Sequence, residues 1–390
     1  MTDFEALEEK KDPAAATGRE RLGPVKRLVV KIGSSSLTRG GSSEFDGKVI
    51  NQLAADVADL RRQGLEVAIV SSGAVAAGMG RLGLGERPRA IADLQAAAAV
   101  GQNLLMNRYE AAFKRHGITV GQVLLTAEDI LEDRQRYLNL RNTFRSLFSF
   151  GAVPVINEND SVGVAELKLT IGENDSLAAY VANLVHAELL VILSDVEGLY
   201  SSFGPDGPAG ELIHEVEEDT DIETAVGTSS NQLGRGGMQT KIRAARLLMR
   251  CGEMTVIAHA RKHRLPGILA GRQIGTLFLP SRKRLGSRKR WIGFASPCKG
   301  SVAIDKGAER AIRDMGKSLL VAGVVGCSGE FKPGDVIRVE NRRKAEVARG
   351  LTRYDSEEIA RVLGKSSADV EAALGRPAIE VIHRDDLVLF

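Results

Sequence analysis

The sequence predicts an α/β protein: a mainly parallel central sheet between two helical layers (an α/β/α sandwich), followed by a small β-rich C-terminal domain. Two observations carry that prediction. Over residues 25–280, short apolar β-branched runs alternate with longer helical patterns, the rhythm of a parallel sheet covered on both faces. After the charged run "SRKRLGSRKR" at 281–290 the rhythm stops, and short strand-like runs separated by Gly and Pro turns take over to residue 390, which suits a small barrel-like domain.

Taken in order, "RLVVKIG" reads as the first strand, and "KVINQLAADVADLRRQG" as a helix ending at Gly64. "LEVAIV" re-enters the sheet, "SSGAVAAGMG" turns into a second helix, and the long helical stretch "DLQAAAAVGQNLLMNRYEAAFKRHG" precedes the strand "ITVGQVLLT". The strand "VPVIN", the helix "DSLAAYVANLVHA", the strand "ELLVILSD", the helix "MQTKIRAARLLMRCG", the strand "MTVIAHA" and the short run "GTLFLP" complete the first domain. In the second, "GSVAIDKGAERAI", "SLLVAGVVGCSG", "GDVIRVEN" and "AEVARGLTRYD" read as short strands with one helix.

At 390 residues the chain can bury a large core without disulfides or metals. A formal charge of +3, from 53 Lys and Arg against 50 Asp and Glu, gives no general attraction to nucleic acid. Cys251, Cys298 and Cys327 stand far apart, as expected of a reducing cytoplasm. Residues 1–24 lack the apolar core of a signal peptide and read as a mobile extension. No apolar run reaches the roughly 18 residues of a membrane span.

Ligands of open α/β sheets bind beyond the carboxyl ends of the strands, so the informative residues follow each apolar run. After the first strand come Lys31, Gly33 and Ser34 to Ser36; after the second, Ser71, Ser72 and Gly73; after "ILSD", Asp195. The stretch "INENDSVGVAELKLTIGENDSL" carries Glu-Asn-Asp twice, at 158–160 and 173–175. Glycines in the loop "LGRGGMQTK" and at positions 33 and 73 either make tight turns or admit a phosphate to backbone N–H groups. The two "GKS" triplets are not Walker loops, because Ala311 and Ile359 stand where the pattern needs glycine. Lys31 lies inside an apolar strand end, so it either snorkels to water or has a partner. Lys241, read at a helix start, opposes the helix dipole; a phosphate between Lys31 and Lys241 would account for both. His259 and His263 have i, i+4 spacing without the glutamate of a zinc-protease motif.

The segments "VVKIGSSSLT", "VSSGAVAAG", "VGQVLLT", "VPVINENDSV", "IGENDSLAA", "GGMQTKIRAA", "RKRWI" and "HRDD" together resemble the glutamate 5-kinase family, of the amino-acid kinase superfamily with a C-terminal PUA domain, over residues 25–390. The resemblance implies ATP-dependent phosphorylation of the side-chain carboxylate of L-glutamate, the first step towards proline, with feedback inhibition by proline. It also implies a homo-oligomer, a tetramer or dimer; magnesium is expected to enter with ATP, and the location is expected to be cytoplasmic. It assigns Lys31, Lys241 and Asp175 to catalysis, with Asp175 orienting the two lysines, and Ser72, Asp160 and Asn174 to glutamate. ATP falls to Lys31, Ser194 and Asp195, and to Arg235, Gly236, Gly237, Met238, Gln239, Thr240 and Lys241. Arg235 departs from the threonine common at that position of the family's glycine-rich loop.

An anionic and amide-rich pocket suits the ammonium of free glutamate. Acetylated glutamate has no ammonium, and a nucleoside monophosphate needs basic ligands. A second reading is an RNA-binding regulator acting through the PUA domain, with Arg282, Lys283, Arg284, Arg288, Lys289 and Arg290 as basic residues and Trp291 for stacking; that run also reads as a solvated linker. A third is a catalytically silent amino-acid sensor, against which Lys31, Asp175 and Lys241 all speak.

Overall fold

The computed structural model describes residues 18–38, 45–126, 129–130, 134–163, 174–204, 207–220, 222, 235–281, 289, 292–293, 298–363, 365 and 367–389. Most of the expected extension, the basic residues Arg282, Lys283, Arg284, Arg288 and Arg290, and Trp291 lie outside these. The chain divides into two compact units, Met1–Thr126 with Asn139–Lys283, and Ala127–Leu138 with Arg284–Phe390. Residues 18–24, expected in the mobile extension, are instead anchored. Gly18–Leu22 is a 3-10 turn, Leu22 is fully buried, and Arg19 donates to the carbonyls of His214, Arg272, Ile274 and Gly275.

The first unit opens with β1 (Arg27–Ile32), the short α1 (Ser34–Leu37), α2 (Gly47–Arg62), β2 (Glu66–Ser71), α3 (Ala74–Arg81) and α4 (Ile91–Lys114). It continues with β3 (Val120–Leu125), α5 (Arg134–Ser149, of which residues 139–149 belong to this unit), β4 (Val153–Glu158), α6 (Asn174–Val185), β5 (Leu189–Ser194), the hairpin β6 (Leu199–Gly204) and β7 (Gly207–Ile213), and β8 (Glu215–Val216). Then come α7 (Arg235–Cys251), β9 (Met254–His259), α8 (Leu265–Leu269) and β10 (Thr276–Phe278). The eight-stranded sheet has the order β3-β4-β2-β1-β5-β9-β10-β8. The first six strands run parallel, and β10 joins antiparallel to β9. Helix α5 and the β6–β7 hairpin have no counterpart in the sequence reading. Helix α7 begins at Arg235, so "RGG", expected as loop, is its first turn.

Alternation along the strands decides what faces the site, since successive side chains point to opposite faces of a sheet. Leu28, Val30 and Ile32 of β1 join the apolar core beneath α2 and α4, as do Leu189, Val191 and Leu193 of β5 and Val256 and Ala258 of β9. Lys31 therefore points to the opposite face, where α6 and α7 pack. Helices α3 and α4 cross at very close range. A β-carbon on Gly78 would stand 1.7 Å from the Ala97 carbonyl oxygen, and one on Gly101 1.7 Å from that of Ala74. Gly73, in the left-handed region at φ 101°, turns the chain from β2 into α3.

The second unit holds a sheet of order β12-β11-β13-β14-β15, formed by β11 (Cys298–Ile304), β12 (Val324–Gly329), β13 (Val336–Glu340), β14 (Glu346–Thr352) and β15 (Ile382–Leu389). Among the described residues, α9 (Lys306–Arg313), α10 (Ser356–Val362) and α11 (Ser367–Leu374) accompany it where one helix was expected. Its own core includes Val302, Ile337, Val347, Tyr354 and Ile382. Asp355 and Glu358 close α10 with a capping box.

Candidate active site at the strand ends

Lys31 reaches the site from the last turn of β1, and Asp175 from the first turn of α6, which packs on that face of the sheet. Lys31 Nζ lies 2.6 Å from Asp175 Oδ1, with both side chains buried. The two make a close charge-assisted contact. Lys241 Nζ lies 3.2 Å from the other oxygen, Oδ2, and the Thr240 hydroxyl donates to that same oxygen at 3.0 Å. Burial alone would raise the pKa of Asp175; the two ammoniums and Thr240 outweigh it and hold the carboxyl below its ordinary range.

The dipole anomaly of Lys241 is smaller than the sequence reading had it. Because α7 starts at Arg235, Lys241 sits in the second turn, and Nζ folds back to donate to the Gly237 carbonyl oxygen at 2.7 Å. The snorkelling alternative for Lys31 does not apply, because the residue is 6% exposed and paired.

A second, amide-centred cluster adjoins the first in sequence through Asn174. Its Nδ2 donates to Ser72 Oγ at 2.7 Å, to the Ser71 carbonyl oxygen at 3.2 Å and to Asn157 Oδ1 at 3.2 Å. Asn157 in turn donates to Gln102 Oε1 at 2.9 Å, and Ser71 Oγ bonds the Tyr109 hydroxyl at 2.9 Å. Asn174 Oδ1 is buried with no hydrogen-bond partner among the described residues, a lone pair open to a donor from a ligand. Asp160 is buried on the turn after β4. Ser194 donates to Asp195 Oδ1 at 3.0 Å at the end of β5. Met238, Gln239 and Thr240 lie on α7 with Gly236 and Gly237 in its first turn.

Sequence reasoning missed Tyr109, Gln102 and Asn157, which back the amide cluster from α4 and β4. A lone glutamine within the small-residue stretch "AAAAVGQNLLM" was the available signal for Gln102. Among the described residues no three His, Cys, Asp or Glu side chains converge as metal ligands.

The model of the amino acid kinase family matches residues 26–258, and that of the PUA domain residues 300–374. Glutamate 5-kinase of Methylococcus capsulatus is 46% identical over 374 residues, covering 95% of this chain and 99% of that protein. The Carboxydothermus hydrogenoformans glutamate 5-kinase is 44% identical over 373 residues, with the same coverage. That of Trichlorobacter lovleyi is 46% identical over 378 residues, covering 95% of this chain and 98% of that protein. With identity of this order running through both domains, the chain belongs to the glutamate 5-kinase family.

Proposed function

We propose that the chain transfers the γ-phosphoryl group of ATP to the side-chain carboxylate of L-glutamate, forming L-glutamyl 5-phosphate, the first step towards proline. One observation carries the reading: a single buried carboxylate, Asp175, sits between the ammoniums of Lys31 and Lys241. Transfer of a phosphoryl group asks for alignment of the attacking and leaving oxygens and for positive charge on the transferred group, with little covalent work from the protein. Two ammoniums drawn together by a shared anion meet that need, since the carboxylate offsets their repulsion.

Each ammonium has three donors. Lys241 spends one on Asp175 and one on the Gly237 carbonyl oxygen, which leaves a donor for a phosphate oxygen. Lys31 keeps its remaining donors for the β- and γ-phosphates. The nucleotide lies against Ser194 and Asp195 and the first turns of α7, from Arg235, Gly236 and Gly237 through Met238, Gln239 and Thr240 to Lys241. That helix, 17 residues long, directs its N-terminal dipole at the phosphates. Both oxygens of Asp175 are committed to lysines and Thr240, so magnesium fits here as a passenger on the nucleotide, where it neutralises charge between β- and γ-oxygens. Glutamate is held by Ser72, Asn174 and Asp160: Asn174 Oδ1 and the Asp160 carboxylate accept from the α-ammonium.

Family membership supports three further parts of the proposal: inhibition by proline, a cytoplasmic location, and assembly as a dimer or tetramer. The PUA match supports a weak RNA contact through the second unit, readable as an affinity that falls with salt. The test of the main reading is a hydroxamate assay with ATP, magnesium and a panel of amino acids, repeated with proline. Product with glutamate alone is expected; equal rates across the panel or no product would sink it.

A further inference from the structure

The loop that follows β9 carries a cluster that the reading above leaves unused. Glu197, on the turn after β5, contacts Lys262 Nζ at 2.5 Å through Oε1 and His263 Nε2 at 2.6 Å through Oε2. Those contacts tie the Ser194–Asp195 turn to the β9 loop. His259 is the last residue of β9 and is directly opposite Ser194 in the parallel register. Lys31, two strands away, is opposite Ile192, and Ile192 is opposite Ile257. Partners in a ladder share a face, and so do residues two apart on a strand. Lys31, Ser194 and His259 consequently project to one face, the face covered by α6 and α7.

Register also gives the distance. His259 is two strand spacings across from Lys31 and two residues further towards the carboxyl edge, about 12 Å between their α-carbons at the usual sheet dimensions. That separation matches a triphosphate chain running from its terminal group to the sugar. With phosphates at Lys31 and Lys241, His259 stands where the nucleoside would be.

The ring is prepared to donate there. His259 Nδ1 accepts from the Arg261 backbone N–H at 3.1 Å, which assigns the neutral ring's proton to Nε2. Among the described residues Nε2 has no hydrogen-bond partner. Burial keeps the ring's pKa below the ordinary histidine range, with Lys262 and His263 adding to that and Glu197 and Asp195 opposing it. We propose that His259 is a further substrate-contacting residue, its Nε2–H donating to the ribose or base of ATP, and that Glu197 is the positioning residue that fixes the loop carrying it. This rests on the kinase reading given above.

The test is titration calorimetry of the full chain with magnesium and two probes, a non-hydrolysable ATP analogue and inorganic tripolyphosphate. His259→Ala removes the ring. His259→Asn removes Nε2 but keeps an acceptor for the Arg261 N–H, so it preserves the local turn. Loss of one neutral hydrogen bond predicts an affinity for the ATP analogue about 3- to 10-fold weaker in both variants. Tripolyphosphate affinity and the KM for glutamate should stay at wild-type values. The inference is overturned if His259→Asn binds the analogue as wild type does, or if both probes weaken equally. If the wild-type chain phosphorylates glutamate while both variants bind as it does, this inference alone falls. Failure of the wild-type chain to bind either probe removes the kinase reading, and this inference with it.

Discussion

Lys31 Nζ stands 2.6 Å from Asp175 Oδ1, although the two residues come from β1 and α6, well over a hundred positions apart in the chain. Lys241 takes the carboxylate's other oxygen. If these ammoniums stabilise the transferred phosphoryl group, Lys241→Ala lowers kcat by about 100- to 1000-fold, as removal of a positioned transition-state donor does. The KM for glutamate changes far less, because the lost contact belongs to the transition state. Steady-state kinetics on the folded variant decide it: an unchanged kcat removes Lys241 from the chemistry.

Asp175→Asn tests the same triad through stability. Replacing the carboxylate leaves two buried ammoniums without a counter-charge, and breaking a buried pair in this way costs about 3–5 kcal/mol. The folded pKa of Asp175 is depressed, so its contribution is complete above the unfolded value of about 3.9 and is lost as pH falls through the folded value. Urea midpoints of wild type and variant should therefore differ widely at neutral pH and converge on acidification below the unfolded value. Parallel curves at all pH values would contradict the assignment.

The glutamate pocket predicts a change confined to one substrate. In Asn174→Asp an acceptor replaces the donor facing the Ser71 carbonyl oxygen and Asn157 Oδ1. Facing acceptors leave buried groups unpaired at about 1–3 kcal/mol, so the KM for glutamate rises tenfold or more. Asp160→Ala acts in the same direction by removing a carboxylate for the ammonium. In both variants the KM for ATP should hold; a rise confined to ATP would move these residues to the other substrate.

How far the site could be read from the chain follows from which signals are local. Lys31 was legible because an ammonium between Val30 and Ile32 is anomalous wherever the strand goes, and the partner it needs turned out to be Asp175. The parallel sheet was legible because most of its strands, β1, β2, β4, β5 and β9, are short and mainly apolar and are buried almost throughout, as β5 is at every position. Gln102 and Asn157 were not, since their meaning arises only when α4 is laid beside β4. The first turn of α7 was misread as loop because Arg235-Gly236-Gly237 has poor helix propensity, which the tertiary context overrides. The β6–β7 hairpin was missed because its strands, "LYSSFG" and "GPAGELI", show no sustained alternation.

The α3–α4 crossing supplies a test of how the fold holds the pocket. Glycine in a helix interior costs roughly 0.5–1 kcal/mol relative to alanine, so Gly78 and Gly101 need a packing reason, and the close approach of the two helices is one. A β-carbon at either would overlap a carbonyl oxygen at 1.7 Å, and backbone on both sides leaves no flexible atom to yield. Gly101→Ala should destabilise by about 3 kcal/mol or more, at the upper end of overpacking costs. It should also raise the KM for glutamate, because α3 follows directly on Ser72 and Gly73. Gly47 is the contrast: it opens α2 with φ outside the left-handed region, and a β-carbon there meets nothing within 4 Å. Gly47→Ala should stabilise by about 0.4–1 kcal/mol through the unfolded chain's lost freedom, with kinetics unchanged. Urea unfolding of the two variants side by side checks both signs; equal effects would mean that the helices separate readily and that the crossing does not set the position of Ser72.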